Sequence, residues 1–403
     1  MSATTMGETT LATRMTCDSN SNEDPAGAQY AMPHLGNERP FGTDLILAFV
    51  WPLLTPSHSL RTVIATITIH PQRQTGQGGS MTRQIEVVGI GSCGIDYFAI
   101  VPRLLGADEK INVDRIEIHA GGVTGNNLTQ VARLGVTAGW LGLLGDDESG
   151  RLITKAFTED GLDLSGIEIV PGEQSTFTWI PVDAHGDRCI YMFPNVNGKL
   201  TANQVRARFA KHIQSAKHFH TEASQLPLPP VKAGMQIARE AGVRVIFDLD
   251  VAPSYFESAK LGSAGDLIAS LDLVDVLKPC KAAVREITGE TEYEKIAAKL
   301  LKLGPKVVAV TMGSEGALLA TAEKTQHVPA FQVKVVDSTG AGDAFMGGLS
   351  YGLLQGWDLH DTGLFANACA AICCTRVGAR AMGSQEEIAS LVHAQRPGKA
   401  AAF

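Results

Sequence analysis

Apolar and polar positions fall into two regimes along this chain. From Arg83 onward, short β-branched runs alternate with stretches whose apolar residues recur every three to four positions. QIEVVGIG (84–91), TAGWLGLLG (137–145), VRVIFDLD (243–250), LVDVLKP (273–279) and KVVAVTMG (306–313) predict buried strands. GNNLTQVARLG (125–135) and ESGRLITKAFTEDG (148–161) predict helices that end in glycine. Strands separated by helices imply an α/β fold, a mostly parallel sheet with helices on both faces. Two segments break the rhythm: 95–122 and 175–197 read as hairpin strands without helices. They predict a small β-sheet outgrowth, a lid made of segments at about 96–120 and 175–197.

Residues 1–80 form the other regime, rich in Ser, Thr, Asn, Gln and Pro and without a sustained period. The apolar run LILAFVWPLL (45–54) is too short to span a membrane, and Pro52 interrupts it. It has no basic segment before it, as a signal peptide would: the first 44 residues carry six acids against two arginines. We expect residues 1–80 to be a disordered extension or a mis-assigned upstream reading frame with the true start at Met81, and 83–395 to be the folded domain.

Composition narrows the class. The 403 residues are 44% hydrophobic and 19% charged with a net charge of -8, which argues against nucleic acid or an anionic membrane as the main partner. The seven cysteines show no C-x-x-C pairing, and four sit among apolar residues, as reduced thiols of a cytoplasmic protein do. No metal site is expected at Cys369, Cys373 and Cys374, nor at the HFH of 218–220, whose two imidazoles read as core or edge histidines.

Candidate chemistry begins at VDSTGAGDAF (336–345). FQVKVVDST (331–339) predicts a strand and the stretch from Asp343 to Gly356 a helix, so Gly340, Ala341 and Gly342 form the turn between them. The first N–H groups of a helix lack intrahelical partners, and small side chains let an anion approach them. Asp343 then sits in the first helical turn. It either caps the helix or takes a proton from a nucleophile attacking a bound phosphate.

Other segments offer weaker signals. GIGSCG (89–94) matches a dinucleotide fingerprint, but a strand rather than a helix follows it, and GDDESGR (145–151) lacks the Lys and Ser/Thr of a phosphate loop. Both are rejected as such motifs, and the second is kept only as a turn that could border a substrate. TMGSEGALL (311–319) reads as a hairpin turn or as a hydroxyl and bare backbone beside a nucleotide. Asn126 reads as a helix cap or as an amide gripping vicinal hydroxyls, and Asp96 as an Asx turn or a second hydroxyl ligand.

Together these pieces resemble the ribokinase, or PfkB, family of carbohydrate kinases from about Gln84 to Met382. DSTGAGDAFMGG is similar to the family's C-terminal signature, and GGVTGNNLTQVARLG with GLLGDDESG to its N-terminal one. The resemblance implies a Rossmann-like three-layer sandwich with a β-sheet lid. It implies Asp343 as catalytic base and Gly340, Ala341 and Gly342 as the anion hole for a phosphoryl group leaving ATP. Thr311, Gly313, Gly316, Thr339 and Asn367 would border the nucleotide, and Asp96, Gly121, Gly122 and Asn126 would hold the sugar, with Mg²⁺ accompanying ATP. Two departures stand out. The family's N-x-x-E motif after the LKP strand is here Cys280–Ala283, without amide or carboxylate, and the middle strand ends in Asp250 and Ala252 where many members carry Asn and Arg.

The expected function is therefore ATP-dependent phosphorylation of a hydroxyl, expected to be primary, on a small neutral sugar or polyol. A nucleoside kinase is the alternative, with Phe177, Trp179, Tyr191 and Phe193 available to stack on a base. The same aromatics read first as lid–lid packing in a homodimer. A non-catalytic sugar or nucleotide sensor is the reading from another class, distinguished by binding without turnover.

Overall fold

The computed structural model describes residues 84–398 and, as strands only, 48–53 and 61–66. The chain divides into two units, 1–80 and 81–403. In the first, Ala48–Leu53 pairs antiparallel with Arg61–Thr66. The remaining expectations for 1–80, including the start at Met81, fall outside the described residues.

The strands of the second unit begin with β1 (Val87–Ile90), β2 (Gly94–Ile100), β3 (Arg115–Gly121), β4 (Ala138–Trp140), β5 (Phe177–Val182) and β6 (Tyr191–Phe193). They continue with β7 (His218–Ala223), β8 (Arg244–Leu249), β9 (Val276–Pro279), β10 (Val307–Thr311), β11 (Ala317–Ala320) and β12 (Thr325–Val328). Eight of these form one sheet in the order β12-β11-β10-β9-β8-β7-β1-β4, parallel except for the β10–β11–β12 meander. Its central strands are buried on both faces, the reason their sequences run Val-Ile-Phe and Val-Val-Ala instead of alternating. Two apolar clusters, one on each side of the sheet, are built around Phe219, Phe247 and Leu277 and around Trp140, Phe157 and Phe345.

The lid is a separate four-stranded sheet in the order β6-β5-β2-β3, as the helix-free segments predict. TAGWLGLLG is not one strand. It breaks at Leu141 into β4 and Gly142–Gly145, which pairs with Ile167–Val170 in a small sheet of its own.

The helices that matter for the site are α1 (Val123–Arg133), α2 (Lys281–Thr288), α3 (Ala341–Leu354) and α4 (Leu359–Cys373). The chain leaves β1 toward β4 on one side and returns to β7 on the other, so the sheet order reverses at β1. Loops diverge there at the carboxyl ends of the strands and leave a crevice. Glu222, at the end of β7, crosses it. Its buried carboxylate accepts from the N–H of Ser92 at 3.0 Å, the N–H of Thr124 at 3.0 Å and the Thr124 hydroxyl at 3.1 Å. That contact fixes where α1 starts relative to the sheet.

The histidines of the HFH segment both point to Ser350 of α3, with His218 Nδ1 at 2.9 Å and His220 Nε2 at 2.8 Å from its hydroxyl. Burial pushes them down to about 2 and about 3, so both are neutral core residues. Among the described residues no helix is long and apolar enough to cross a membrane.

Candidate active site

FQVKVVDST does not form a strand: among the described residues 329–337 pair with no sheet, and the chain bends at Val336. The backbone finds other partners: Gln332 N–H donates to Gln395 Oε1 at 3.0 Å and Val336 N–H to the Cys374 carbonyl at 2.8 Å. Phe331, Gln332, Val333 and Val335 line one cavity and Val336 and Asp337 line another, so the end of the segment is a partition between two spaces rather than part of a sheet.

The turn that follows continues the partition. Gly340 precedes α3 with φ +79°, and a Cβ there would fall 2.0 Å from the carbonyl oxygen of Ala379. Only glycine fits both conditions. Ala341 and Gly342 face a cavity of about 430 Å³, while Asp343 faces one of about 510 Å³. The helix has no side-chain cap, so Asp343 is not one. Its carboxylate instead accepts from Asn126 Nδ2 at 2.7 Å.

The smaller cavity is lined by Thr311, Gly313 and Gly316 from the β10–β11 turn, by Phe331, Val333 and Val335, and by Phe345 and Asn367. TMGSEGALL is thus both the hairpin turn and a cavity edge. Asn367 donates to the carbonyl of Val328 at 2.9 Å, which holds the loop leading to the partition. A slot with apolar walls, a few polar groups and helix N–H donors at one end suits a planar base followed by phosphates.

The larger cavity has a polar floor of Asp96, Asn126, Asp250 and Asp343, and a lid wall of Phe98, Ile100, Ile180, Val182 and Met192. Asp96 lies on β2 and is no Asx turn. Its carboxylate accepts from Thr178 across the lid, and a Cβ on Gly121 would sit 2.1 Å from Asp96 Oδ2, so that glycine makes room for it. Gly122 also lines the cavity, with φ +95° and the main chain of Cys93 where a Cβ would go. Thr339, expected beside the nucleotide, lines this cavity instead, its hydroxyl donating to Asp337 at 2.7 Å.

Asn126 lines the larger cavity but is no cap. It lies inside α1 rather than at its cap, and its amide oxygen accepts from Arg380 Nε at 3.1 Å while its nitrogen serves Asp343. One N–H and one lone pair of the amide stay uncommitted to these two partners. The GDD turn borders neither cavity: Asp147 caps the helix Glu148–Glu159 and Asp146 accepts from Gly172 N–H at 2.9 Å.

Four charged residues at the floor carried no assigned role in the sequence reading. Lys278 on β9 and Asp248 on β8 form a buried ion pair at 2.8 Å beneath the turn, and a Cβ on Gly342 would lie 3.3 Å from the Lys278 ammonium. Burial alone would lower the Lys278 pKa, but the Asp248 and Asp250 carboxylates hold it above its ordinary value. Burial and the neighbouring Asp248 push Asp250 up to about 7. Burial, then Asp248 and Asp250, raise Asp343 well above the usual carboxylate range, opposed by Asn126 and Lys278. Arg380 is the fourth. A signal for Lys278 and Asp250 existed in their positions at the ends of strands that converge on one crevice.

The N-x-x-E departure also has a structural side. Cys280 caps α2, its sulfur accepting from Ala283 N–H at 3.4 Å, and Ala283 is fully buried in the core. Position 283 therefore faces away from both cavities.

The lid aromatics settle on the outer face. Strand alternation sends Asp96, Phe98 and Ile100 toward the large cavity and Phe177, Trp179, Tyr191 and Phe193 into a groove on the opposite side. Stacking on a base in the cavity is excluded for these four. They pack on one another, with Phe177 and Phe193 stacked at 4.4 Å.

Comparison with known proteins follows the same outline. The family model described as pfkB family carbohydrate kinase matches residues 84–386. The ribokinase of Haemophilus influenzae is 28% identical over 312 residues, 76% of this chain and 98% of the relative. The aminoimidazole riboside kinase of Salmonella typhimurium is 31% identical over 269 residues, 64% of this chain and 83% of the relative. Among solved structures, a candidate ribokinase II of E. coli in complex with ATP and Mg²⁺ superposes with a TM-score of 0.68 at 26% identity, covering 77% of this chain and 99% of that one.

Proposed function

Because this chain belongs to the pfkB family of carbohydrate kinases, we propose that it transfers the γ-phosphoryl group of ATP to a hydroxyl, expected to be primary, of a small neutral sugar or polyol, with Asp343 as the base. One observation carries the reading: a single helix start separates two cavities, with Ala341 and Gly342 lining one and the Asp343 carboxylate lining the other. ATP in the smaller cavity would end at the turn, and a hydroxyl in the larger one would meet Asp343.

Phosphoryl transfer asks the protein mainly for positioning and charge stabilisation. The Ala341 N–H donates to the Ser338 carbonyl, so the small side chains of Gly340, Ala341 and Gly342 would open an approach to the N–H groups that follow it, where charge grows on the transferring group. Lys278 adds a fixed positive charge beneath them. Asp343 accepts the proton of the attacking hydroxyl, and Asp96 with the remaining Asn126 N–H orients the other hydroxyls. ATP enters as its Mg²⁺ complex. Cys280 and Ala283 offer the ion no oxygen ligand, so it would be held mostly through phosphates and water.

The lining of the larger cavity supports a neutral acceptor. Asp96, Glu117, Asp250, Asp337 and Asp343 outnumber His119 and Arg188 in the lining, and the Lys278 ammonium beneath it is already paired with Asp248. A nucleoside is the second reading, favoured by the aliphatic lid wall and by the riboside kinase among the relatives. The aromatic groove on the outer lid face, flanked by exposed Ile116 and Ile118, is where a second copy would pack.

An ADP-release assay across ribose, fructose, polyols and nucleosides, with and without Mg²⁺, tests the function. Asp343→Asn should lower kcat about 10²–10⁴-fold while melting as the wild type does. Binding of these compounds without any ADP release would favour a sensor over a kinase.

A further inference from the structure

The guanidinium of Arg380 lies behind the larger cavity, in the loop after α4. It sits 5.0 Å over the Phe157 ring. Nε donates to Asn126 Oδ1 at 3.1 Å and Nη2 to the Gly121 carbonyl at 3.0 Å. Nη1 is buried and has no hydrogen-bond partner among the described residues. A Cβ on Gly125 would fall 2.8 Å from Nη2, so that glycine leaves space for the group.

Asn126 is therefore held at both ends of its amide. A guanidinium carries only donors, so the amide atom facing it must be oxygen. The nitrogen is then forced toward Asp343, 2.7 Å away. The reversed amide would set N–H against N–H on one side and oxygen against carboxylate on the other. We propose that Arg380 is a positioning residue: it locks the Asn126 amide so that an N–H always points at Asp343 Oδ2. The proposal rests on the reading of Asp343 as the base.

The lock matters because little else supports the ionised carboxylate. Asp248 and Asp250 at the end of β8 repel it, and the Cys373 thiol of α4 faces it as well. Asn126 from α1 and Lys278 from β9 are the groups that favour its charge. An amide free to flip would present the wrong atom part of the time. Asp343 would then hold its proton to higher pH and work as a base over a narrower range.

The test reads Asp343 directly. Infrared pH titration of full-length protein with ¹³C-labelled aspartate, with the band assigned by its loss in Asp343→Asn, gives the carboxyl midpoint without any substrate. Arg380→Met is expected to raise that midpoint by about one pH unit, Asn126→Ala by a similar amount, and the double variant by no more than Asn126→Ala alone. Arg380→Lys, which keeps the charge and one donor direction, should fall between wild type and Arg380→Met, and it stands in should Arg380→Met fail to fold. A midpoint unchanged in both Arg380 variants, or an additive shift in the double variant, overturns the relay. Undiminished ADP release by Asp343→Asn, alongside the expected shifts, would leave the relay standing and remove the base assignment.

Discussion

The ammonium of Lys278 lies 2.8 Å from Asp248 Oδ1, with 5% and 0% of the two side chains exposed. Their strands are neighbours in the sheet, in register with one another. The pair places a fixed positive charge under the turn that receives the phosphoryl group. Removing one partner leaves the other charged and buried, so Lys278→Met should cost about 3–5 kcal/mol in denaturant unfolding. Lys278→Met with Asp248→Leu should regain most of that stability and none of the activity. A double variant no more stable than the single one would show that the pair does not act as a unit.

Asp250 and Asp343 line the same cavity floor. The Asp250 carboxylate raises the Asp343 pKa, so Asp250→Asn should move the acid limb of kcat/KM to lower pH. Stability supplies a second readout with a definite sign. The folded Asp250 titrates near 7, against 3.8 ordinarily, so between those values the native state binds the extra proton and stability falls as pH rises. The melting advantage of Asp250→Asn over wild type should therefore grow from pH 4 to pH 7 and level off above. An advantage that is constant across this range would contradict the burial argument.

Gly340 and Gly313 both have left-handed backbone, at φ +79° and +63°, but only Gly340 has main chain where a Cβ would go. Gly313→Ala should cost roughly 1–2 kcal/mol, the price of the conformation alone. Gly340→Ala must also displace Ala379, and it should cost more than that and lower kcat about 10²-fold by shifting the turn. Equal effects in the two variants would count against a turn held to close tolerance.

The outer lid face exposes Ile116, Ile118, Tyr191 and Phe193. Wild-type protein should sediment as a dimer, and Tyr191→Glu with Ile118→Arg as a monomer of unchanged secondary structure. A wild-type monomer at micromolar concentration would reassign this face.

Much of the fold was legible locally. The five predicted buried runs each contain a strand, because a strand covered on both faces must be apolar throughout. The lid was legible as an interruption of the helix–strand rhythm. FQVKVVDST misled because alternation says nothing of whether a neighbouring strand is there to pair with, and here backbone donors go to Gln395 and Cys374 instead. The same limit governs the lid aromatics. Period two groups Phe177 with Trp179 and Thr178 with Ile180, but it cannot tell which group faces the site.

By itself the sequence determined the alternating sandwich, the glycines of the turn and the carboxylate that follows them, since each is a matter of neighbours along the chain. The tertiary structure alone decided what surrounds that carboxylate. Asn126 meets Asp343 across 217 positions and Arg380 across 254, and Lys278 reaches the turn from a strand deep in the sheet. Such contacts are set by how strands order and helices pack, and the protonation of Asp343 depends on them because charge acts through space rather than along the backbone.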